Sequence, residues 1–211
     1  MAAAITCLQA GANGITLHLR LDRRHIQDQD LRLLRQIVKR NLNLEMAVAE
    51  EMLQIASDVK PDQCTLVPER LEETTTEGGL DVASQKETIR RAIERLHKGG
   101  IRVSLFIEPE PEQIKAAKEV RTDMIELYTG AYADASSDEE VHEFNRLLKA
   151  SQLAGELGLG VRAGHSLTFR NLRRIVTLPN LTEVSIGHNI IARAVFIGLD
   201  QAVKEIVEVL R

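Results

Sequence analysis

Short apolar runs alternate along the chain with longer stretches in which apolar residues recur at helical spacing. Seven runs predict strands, at residues 15–19, 42–46, 64–67, 103–107, 124–128, 160–163 and 183–186. The intervening stretches predict helices at residues 31–38, 47–59, 83–97, 111–118, 138–157, 169–178 and 189–210. Asp28 is a plausible cap for the first of these helices, and Gly198 predicts a break in the last. Each predicted strand is therefore followed by a helix.

This alternation is typical of βαβ units and a parallel sheet. No strand is followed by the GxGxxG fingerprint of dinucleotide-binding sheets, so the pattern favours a TIM-type (β/α)8 barrel in a single domain over residues 1–211. Such a barrel has eight strands, whereas seven are recognisable here. Residues 2–10 resemble the tail of a helix, so we expect the N-terminal strand to be absent. An open barrel exposes two strand edges, which predicts low stability, self-association or rearrangement around residues 1–10.

Composition and charge exclude several classes of protein. The net charge is −4, and the basic residues are scattered, so no electrostatic footprint for nucleic acid is present. No apolar run approaches the roughly 20 residues that span a bilayer, and the first residues do not resemble a signal peptide. We expect a cytoplasmic protein that does not bind membranes. Cys7 and Cys64 form no CxxC pair and are expected to be small core residues.

Polar side chains alternate with apolar ones in three of the predicted strands. They are His18 with Arg20, Asn43 with Glu45, and Glu126 with Tyr128. Such alternation commonly marks a strand with one face in water, but both faces of a parallel sheet are covered. The polar face should therefore line the barrel lumen, where charged groups are costly unless they pair or bind a ligand. Active sites of barrels lie at the C-terminal ends of the strands, so a site is predicted there.

The positions of histidines and glycines also indicate a site at the C-terminal ends of the strands. His18, His25, His165 and His188 lie at or just beyond strand ends, where imidazoles can exchange protons near neutral pH. The turns Gly164-His165-Ser166 and Gly187-His188 follow the last two strands, where barrels frequently hold a phosphate. Plain βα turns are the alternative. The polar loop at residues 74–79 predicts a lid, with a flexible connector as the alternative.

Several blocks of sequence resemble the pyridoxine 5'-phosphate synthase family. They are His18-Leu19-Arg20, Asp22-Arg23-Arg24-His25, Asn43-Leu44-Glu45-Met46, Leu66-Val67-Pro68-Glu69, Thr75-Thr76-Glu77-Gly78-Gly79-Leu80-Asp81 and Ile186-Gly187-His188. They occur in order over essentially the whole chain. The family's opening Asn-x-Asp-His block and the Arg after it are not present. Ser166, where the family usually has Gly, together with Asn189 and Ala192, are smaller departures.

The resemblance implies a ring-closing transferase of vitamin B6 biosynthesis, without metal or organic cofactor. It would condense 1-deoxy-D-xylulose 5-phosphate with 3-amino-2-oxopropyl phosphate, releasing inorganic phosphate and water, and would assemble as a homo-octamer. By the same resemblance, Glu45 and His18 act as general bases, His165 as proton donor and Glu126 as a stabiliser of charged intermediates. Further residues would bind the two phosphorylated substrates: Arg20, His25 and Thr75 the deoxyxylulose phosphate, and Ser166, Gly187 and His188 the amino ketone phosphate.

Two other functions are compatible with these residues. A metal-dependent barrel hydrolase or isomerase could use His18, Glu45, His165 and His188 as ligands, but the chain has no His-x-His pair and few strand-end Asp residues. A truncated homologue that keeps phosphate binding or assembly without turnover is the closer rival.

Overall fold

The protein is described by a computed structural model that covers residues 1–39, 41–69 and 76–211. Its centre is a curled parallel sheet of seven strands that follow one another in chain order. The strands are β1 (Ile15–His18), β2 (Leu42–Met46), β3 (Gln63–Leu66), β4 (Arg102–Ile107), β5 (Met124–Tyr128), β6 (Gly160–Gly164) and β7 (Leu181–Ser185). All seven strands predicted from the sequence are confirmed, and the α/β barrel class with them.

Ten helices accompany the sheet in the described residues. They are α1 (Ala2–Gln9), α2 (Asp28–Ile37), α3 (Glu50–Val59), α4 (Lys86–Lys98), α5 (Pro111–Glu119), α6 (Gly130–Asp134), α7 (Ser137–Glu156), α8 (Phe169–Ile175), α9 (His188–Ile197) and α10 (Leu199–Val209). The predicted break at Gly198 is confirmed, because this glycine adopts a φ of 80° between α9 and α10. Helix α6 was not predicted, since five residues are too few to display a helical period.

Predicted and observed boundaries differ by a few residues at several elements. Strand β3 begins at Gln63, one residue earlier than its apolar run, because this buried side chain points into the sheet's polar face. Helix α3 begins at Glu50 rather than at residue 47, since Ala49 is still extended, with φ −132° and ψ 146°. These shifts leave the order of elements unchanged.

The two faces of the sheet differ in chemistry, as the alternation predicted. Leu17, Leu44, Leu105 and Ile125 belong to the hydrophobic core that the surrounding helices cover. The opposite face carries buried polar side chains, which are Asn43, Gln63, Thr65, Ser104, Glu126 and Arg162. Arg162 Nη1 on β6 donates to Thr65 Oγ1 on β3 at 3.3 Å, across three strand spacings. The polar faces therefore meet in a common lumen.

Helix α1 packs against α10, which confirms the helical interpretation of residues 2–10. Strands β1 and β7 form the two edges of the sheet in the described residues. Near the β7 edge, α9 exposes Ile191, Val195 and Phe196 at 57%, 79% and 83% of their surface. Cys64 is buried as expected, whereas Cys7 is only partly buried because α1 contributes no fully buried residue. None of the described helices combines the length and hydrophobicity that crossing a bilayer requires.

Candidate active site

His18 stands at the end of β1 and is held by a carboxylate. Its Nε2 lies 2.9 Å from Glu69 Oε1, and Leu21 N donates to Glu69 Oε2 at 3.0 Å. Burial tends to raise the pKa of Glu69, but the hydrogen bonds from His18 and Leu21 lower it below its usual range. Since a carboxylate only accepts, Nε2 of His18 is the donor, and neutral His18 keeps a lone pair on Nδ1. Glu69 thus orients His18 as a base.

Two further predicted site residues lie beside this pair. The rings of His18 and His25 have centroids 6.3 Å apart, and Arg20 is buried, with Nε 3.5 Å from Asp22 Oδ1. Partial burial, followed by the charges of His18 and Arg20, lowers the pKa of His25. The structure therefore brings His18, Arg20 and His25 together at one side of the barrel mouth, where an anionic ligand would meet several cationic or hydrogen-bonding groups.

Glu45 and Glu126 are the carboxyl groups of the lumen. Glu45 pairs in register with His18 on β1 and with Thr65 on β3, and part of its surface remains open to the mouth. The walls of the lumen nevertheless remove most water from its carboxyl, and this burial together with the charge of Glu126 raises the pKa of Glu45 to about 8, against the opposing effect of Arg162. Glu45 can therefore exchange a proton near neutral pH.

Glu126 on β5 is almost completely enclosed, with 1% of its side chain exposed. Burial raises its pKa, while Arg162 and a hydrogen bond from Ser185 oppose that rise. Its Oε2 lies 3.3 Å from Arg162 Nη1 but accepts no hydrogen bond from the described residues. A buried acceptor of this kind is costly without a partner, so it is available for a donor on a bound substrate.

Glu69 and Arg162 are the site residues that sequence reasoning missed. Glu69 belongs to one of the sequence blocks that carry the family resemblance, but no local pattern assigns it a role. Arg162 lies on β6 between two glycines, a strand in which polar alternation is hard to see because Gly160 and Gly164 have no side chains. The signal that could have found Arg162 is its register pairing with Glu126 on one side and Glu183 on the other.

The turn after β6 places His165 above the lumen. Thr129 fixes this turn, because its N and Oγ1 donate to Gly164 O at 3.0 and 2.8 Å, and its Oγ1 also contacts His165 O. His165 and Ser166 adopt φ values of 85° and 56°, in the left-handed region that L residues rarely enter. The His165 ring lies 5.1 Å from that of Tyr128, and burial lowers the pKa of His165 against the charges of Asp134 and Glu77.

Gly164 is required by the carboxyl group below it. A Cβ at this position would lie 2.2 Å from Glu126 Oε1, so we expect Gly164→Ala to displace Glu126. The overpacking should reduce the free energy of unfolding by about 1–3 kcal/mol in urea titrations. It should also lower the turnover that depends on Glu126. Gly100→Ala is the control, because its φ of 75° adds strain but no atom lies within 4 Å of its Cβ. A Gly164→Ala chain with native activity would show that turnover does not depend on the position of the Glu126 carboxyl group below Gly164.

The turn after β7 is open and is joined to the turn after β6. Gly187 caps the ten-residue helix α9, and no atom lies within 4 Å of a Cβ built on it. Phe169 N donates to Asn189 Oδ1 at 3.3 Å, and Asn171 Nδ2 donates to Ser166 O at 3.2 Å. These bonds link the turn that carries Ser166 to the start of α9, beside Gly187 and His188. The first N–H groups of a helix have no partner within that helix and can receive an anion.

Two further predictions concern the lid at residues 74–79 and the ligands of a metal ion. Thr74 and Thr75, the first two residues of the predicted lid, lie outside the described residues. In the rest of the lid, Gly79 N donates to Glu108 Oε1 at 3.0 Å. Over residues 1–39, 41–69 and 76–211, no three His, Cys, Asp or Glu side chains gather closely enough to hold a metal ion. His18, Glu45, His165 and His188 therefore do not form the ligand set of the metal-dependent alternative.

The whole chain, residues 1–211, matches the family described as pyridoxal phosphate biosynthesis protein PdxJ. A pyridoxine 5'-phosphate synthase of Geobacter metallireducens is 54% identical over 212 residues, which cover 100% of this chain and 89% of the relative. One of a Synechococcus species is 57% identical over 206 residues, covering 97% of this chain and 86% of the relative.

Solved structures of distant sequence share the fold. A structure of KGPDC from Streptococcus mutans superposes with a TM-score of 0.68 at 10% identity, covering 100% of this chain and 92% of that one. Phosphoribosyl anthranilate isomerase from Thermus thermophilus gives a TM-score of 0.62 at 12% identity, covering 99% and 92% of the two chains. At this identity the likeness shows the α/β barrel architecture alone.

Proposed function

Because the chain belongs to the family of pyridoxal phosphate biosynthesis protein PdxJ, we propose that it is a pyridoxine 5'-phosphate synthase that condenses 1-deoxy-D-xylulose 5-phosphate with 3-amino-2-oxopropyl phosphate. The reaction closes the pyridine ring and releases inorganic phosphate and water, without metal or organic cofactor. Relatives more than half identical over almost the whole chain carry this enzyme name and support the proposal. The observation that carries it is the group of His18, Glu45, Glu126 and His165 around one barrel lumen.

This group suits the chemistry of the proposed reaction. Schiff-base formation, enolisation, loss of water and aromatisation each move a proton at a different atom of one bound adduct, so several acid and base groups are needed. In the proposal, His18 and Glu45 accept protons and His165 donates one. Glu126 stabilises cationic intermediates as a carboxylate. The hydrogen bond between His18 and Glu69 and the raised pKa of Glu45 support the two base assignments.

The two phosphates are proposed to bind at opposite sides of the mouth. Arg20 and His25, with Thr75, would contact the deoxyxylulose phosphate, and the closeness of Arg20 and His25 to His18 supports this. The backbone around Ser166, Gly187 and His188 would hold the phosphate of the amino ketone, supported by the open N-terminus of α9. Anchoring both phosphates would set the reacting amine against the carbonyl and supply much of the catalysis by positioning.

The proposed site for the phosphate of 3-amino-2-oxopropyl phosphate can be tested by adding one methyl group at Gly187. We expect Gly187→Ala to fold as stably as the native chain, because its φ of −120° is ordinary and no atom lies within 4 Å of the added Cβ. The methyl should crowd the bound phosphate and raise KM for 3-amino-2-oxopropyl phosphate by about 10- to 100-fold, about 1–3 kcal/mol of binding energy. KM for the other substrate should change little. An equal rise in both KM values would place the phosphate elsewhere.

The proposed activity itself is tested by incubating the chain with both substrates and following the absorbance of the pyridoxine ring. Each substrate alone is the control. Ring formation supports the enzyme. Substrate binding without ring formation, measured by calorimetry, would instead favour a homologue that keeps phosphate binding only.

Assembly into a homo-oligomer, an octamer by resemblance, is also proposed. The exposed Ile191, Val195 and Phe196 on α9 support it, since contiguous apolar surface of this kind commonly marks an interaction site.

A further inference from the structure

Arg162 is the buried cation at the centre of the lumen. Only 1% of its side chain is exposed, and its guanidinium contacts four groups on three other strands. Nη1 lies 3.3 Å from both Glu126 Oε2 and Thr65 Oγ1, Nη2 donates to Ser185 Oγ at 3.2 Å, and Nε lies 3.2 Å from Glu183 Oε2. A guanidinium with this many fixed contacts cannot turn away from the carboxyl groups.

The charges around Arg162 are unbalanced. Three glutamates face the polar lumen, Glu45 from β2, Glu126 from β5 and Glu183 from β7. Strands β3 and β4 contribute the uncharged Thr65 and Ser104. Strand β1 contributes His18 beside Glu45, and the buried Arg20 that follows this strand has its Nε 3.5 Å from Asp22 Oδ1. Glu183 is 40% exposed and can be screened by water, whereas Glu126 is enclosed. The charge of Arg162 therefore acts on both Glu45 and Glu126, and two neighbouring carboxyl groups near one cation do not both ionise freely.

Arg162 lies against Glu126 and not against Glu45, so its charge does not act equally on the two carboxyl groups. Arg162 Nη1 lies 3.3 Å from Glu126 Oε2, whereas no ion pair joins Arg162 to Glu45 among the described side chains. The charge of Arg162 nevertheless lowers the pKa of both glutamates. The contact with Glu126 is ionic rather than hydrogen-bonded, because Glu126 Oε2 accepts no hydrogen bond from the described residues. Arg162 thus stabilises negative charge on Glu126 while leaving its Oε2 able to accept a hydrogen bond.

We propose that Arg162 is a positioning residue that assigns the single buried proton of the lumen, keeping Glu126 as the carboxylate and Glu45 as the proton carrier. The inference rests on the proposed function for its consequence in catalysis. Without Arg162, Glu126 loses the partner that favours its ionised form, and Glu45 loses the positive charge that opposes its protonation. The division of roles between a charge stabiliser and a base then depends on a residue that touches neither substrate.

The experiment follows the ionisation of Glu45 directly. The infrared band of its protonated carboxyl is identified as the band lost in Glu45→Gln and is titrated with pH in the native chain, Arg162→Met, Arg162→Lys, Glu126→Gln and the double variant Arg162→Met/Glu126→Gln. This readout needs no substrate. If the native chain forms no pyridoxine ring, the proposed function fails while the titration still tests Arg162.

Removing the cation should raise the midpoint of the Glu45 titration by at least about one pH unit in Arg162→Met. Glu126→Gln should lower the midpoint, and the double variant should return toward the native value, because both charges near Glu45 are then gone. Arg162→Lys should lie between native and Arg162→Met. In the pH profile of kcat, the limb that reports Glu45 should move in the same order.

Arg35→Met is the matched control. It breaks the 2.8 Å pair between Arg35 and Asp62 outside the lumen and should leave the Glu45 midpoint unchanged. The proposal is overturned if Arg162→Met or Arg162→Lys lowers kcat while the Glu45 midpoint stays at its native value, which is the result of a purely structural role. It is also overturned if Arg35→Met shifts the midpoint equally. Should Arg162→Met not fold, the lysine and Glu126 variants give the same decision.

Discussion

Glu45→Gln is expected to lower kcat by about 10²- to 10⁴-fold, the usual contribution of a positioned general base. Glutamine keeps the shape of the side chain in the lumen but cannot accept the proton. Because the pKa of Glu45 is raised to about 8, the native rate should rise with pH until the carboxyl ionises, and that rise should be missing from the residual activity of the variant. Steady-state kinetics from pH 6 to 9 measure both effects.

Stability should change with pH in the opposite sense. A glutamate with a usual pKa of 4.5 that is raised to about 8 binds its proton more tightly in the folded chain, so the stability from this protonation is complete below pH 4.5 and is lost as pH rises through 8. Glutamine stays neutral throughout. Between pH 5 and 9 the variant should therefore gain a few kcal/mol in its free energy of unfolding relative to the native chain.

The control for this pair of effects is Glu112→Gln, which removes one negative charge from the exposed start of α5. It should alter neither kcat nor the pH dependence of unfolding. A Glu45→Gln chain that turns over at the native rate would remove Glu45 from the proposed mechanism.

His165→Asn is expected to reduce kcat by a similar factor, about 10²- to 10⁴-fold, since the proposed proton donor is removed. Burial lowers the pKa of His165, so its protonated form is a stronger acid than a free imidazolium and delivers its proton more readily. Asparagine tolerates the left-handed φ of 85° better than most residues, so the turn should keep its shape. Single-turnover kinetics separate the proton-transfer step from substrate binding.

Ser166→Gly is the neighbouring control. It places glycine at a φ of 56°, where a left-handed conformation costs it nothing, and it restores the residue that the family usually has. Activity and stability should stay within about 1 kcal/mol of the native values. Equal losses in His165→Asn and Ser166→Gly would indicate that the turn's shape, rather than the imidazole, carries the effect.

Much of the fold follows from local periodicity. Apolar runs such as residues 42–46 and 124–128 coincide with β2 and β5 because their outward side chains fill the hydrophobic core. The periodicity predicts less where an element is very short or where a side chain faces the polar lumen. Helix α6 is too short to show a period, and Gln63 extends β3 because its side chain faces the polar lumen rather than the core.

The candidate site could be predicted where polar residues alternate with apolar ones along a strand, as they do around His18, Glu45 and Glu126. What could not be predicted were pairings between distant strands. Glu69 contacts His18 across 51 residues, and Arg162 reaches Thr65 across 97, so neither contact leaves a local pattern. The family resemblance implies the substrates and the residue roles. The contacts of Glu69 and Arg162 could not be predicted, because they form only when the curved sheet brings distant strands together.

Product analysis tests most directly whether this chain closes the pyridine ring. The purified chain is incubated with 1-deoxy-D-xylulose 5-phosphate and 3-amino-2-oxopropyl phosphate, and proton and phosphorus NMR follow the mixture, with Glu45→Gln as the matched control. We expect pyridoxine 5'-phosphate and inorganic phosphate in equal amounts, formed by the native chain only when both substrates are present. Binding of both substrates with no aromatic product, or product formed equally by Glu45→Gln, would contradict it.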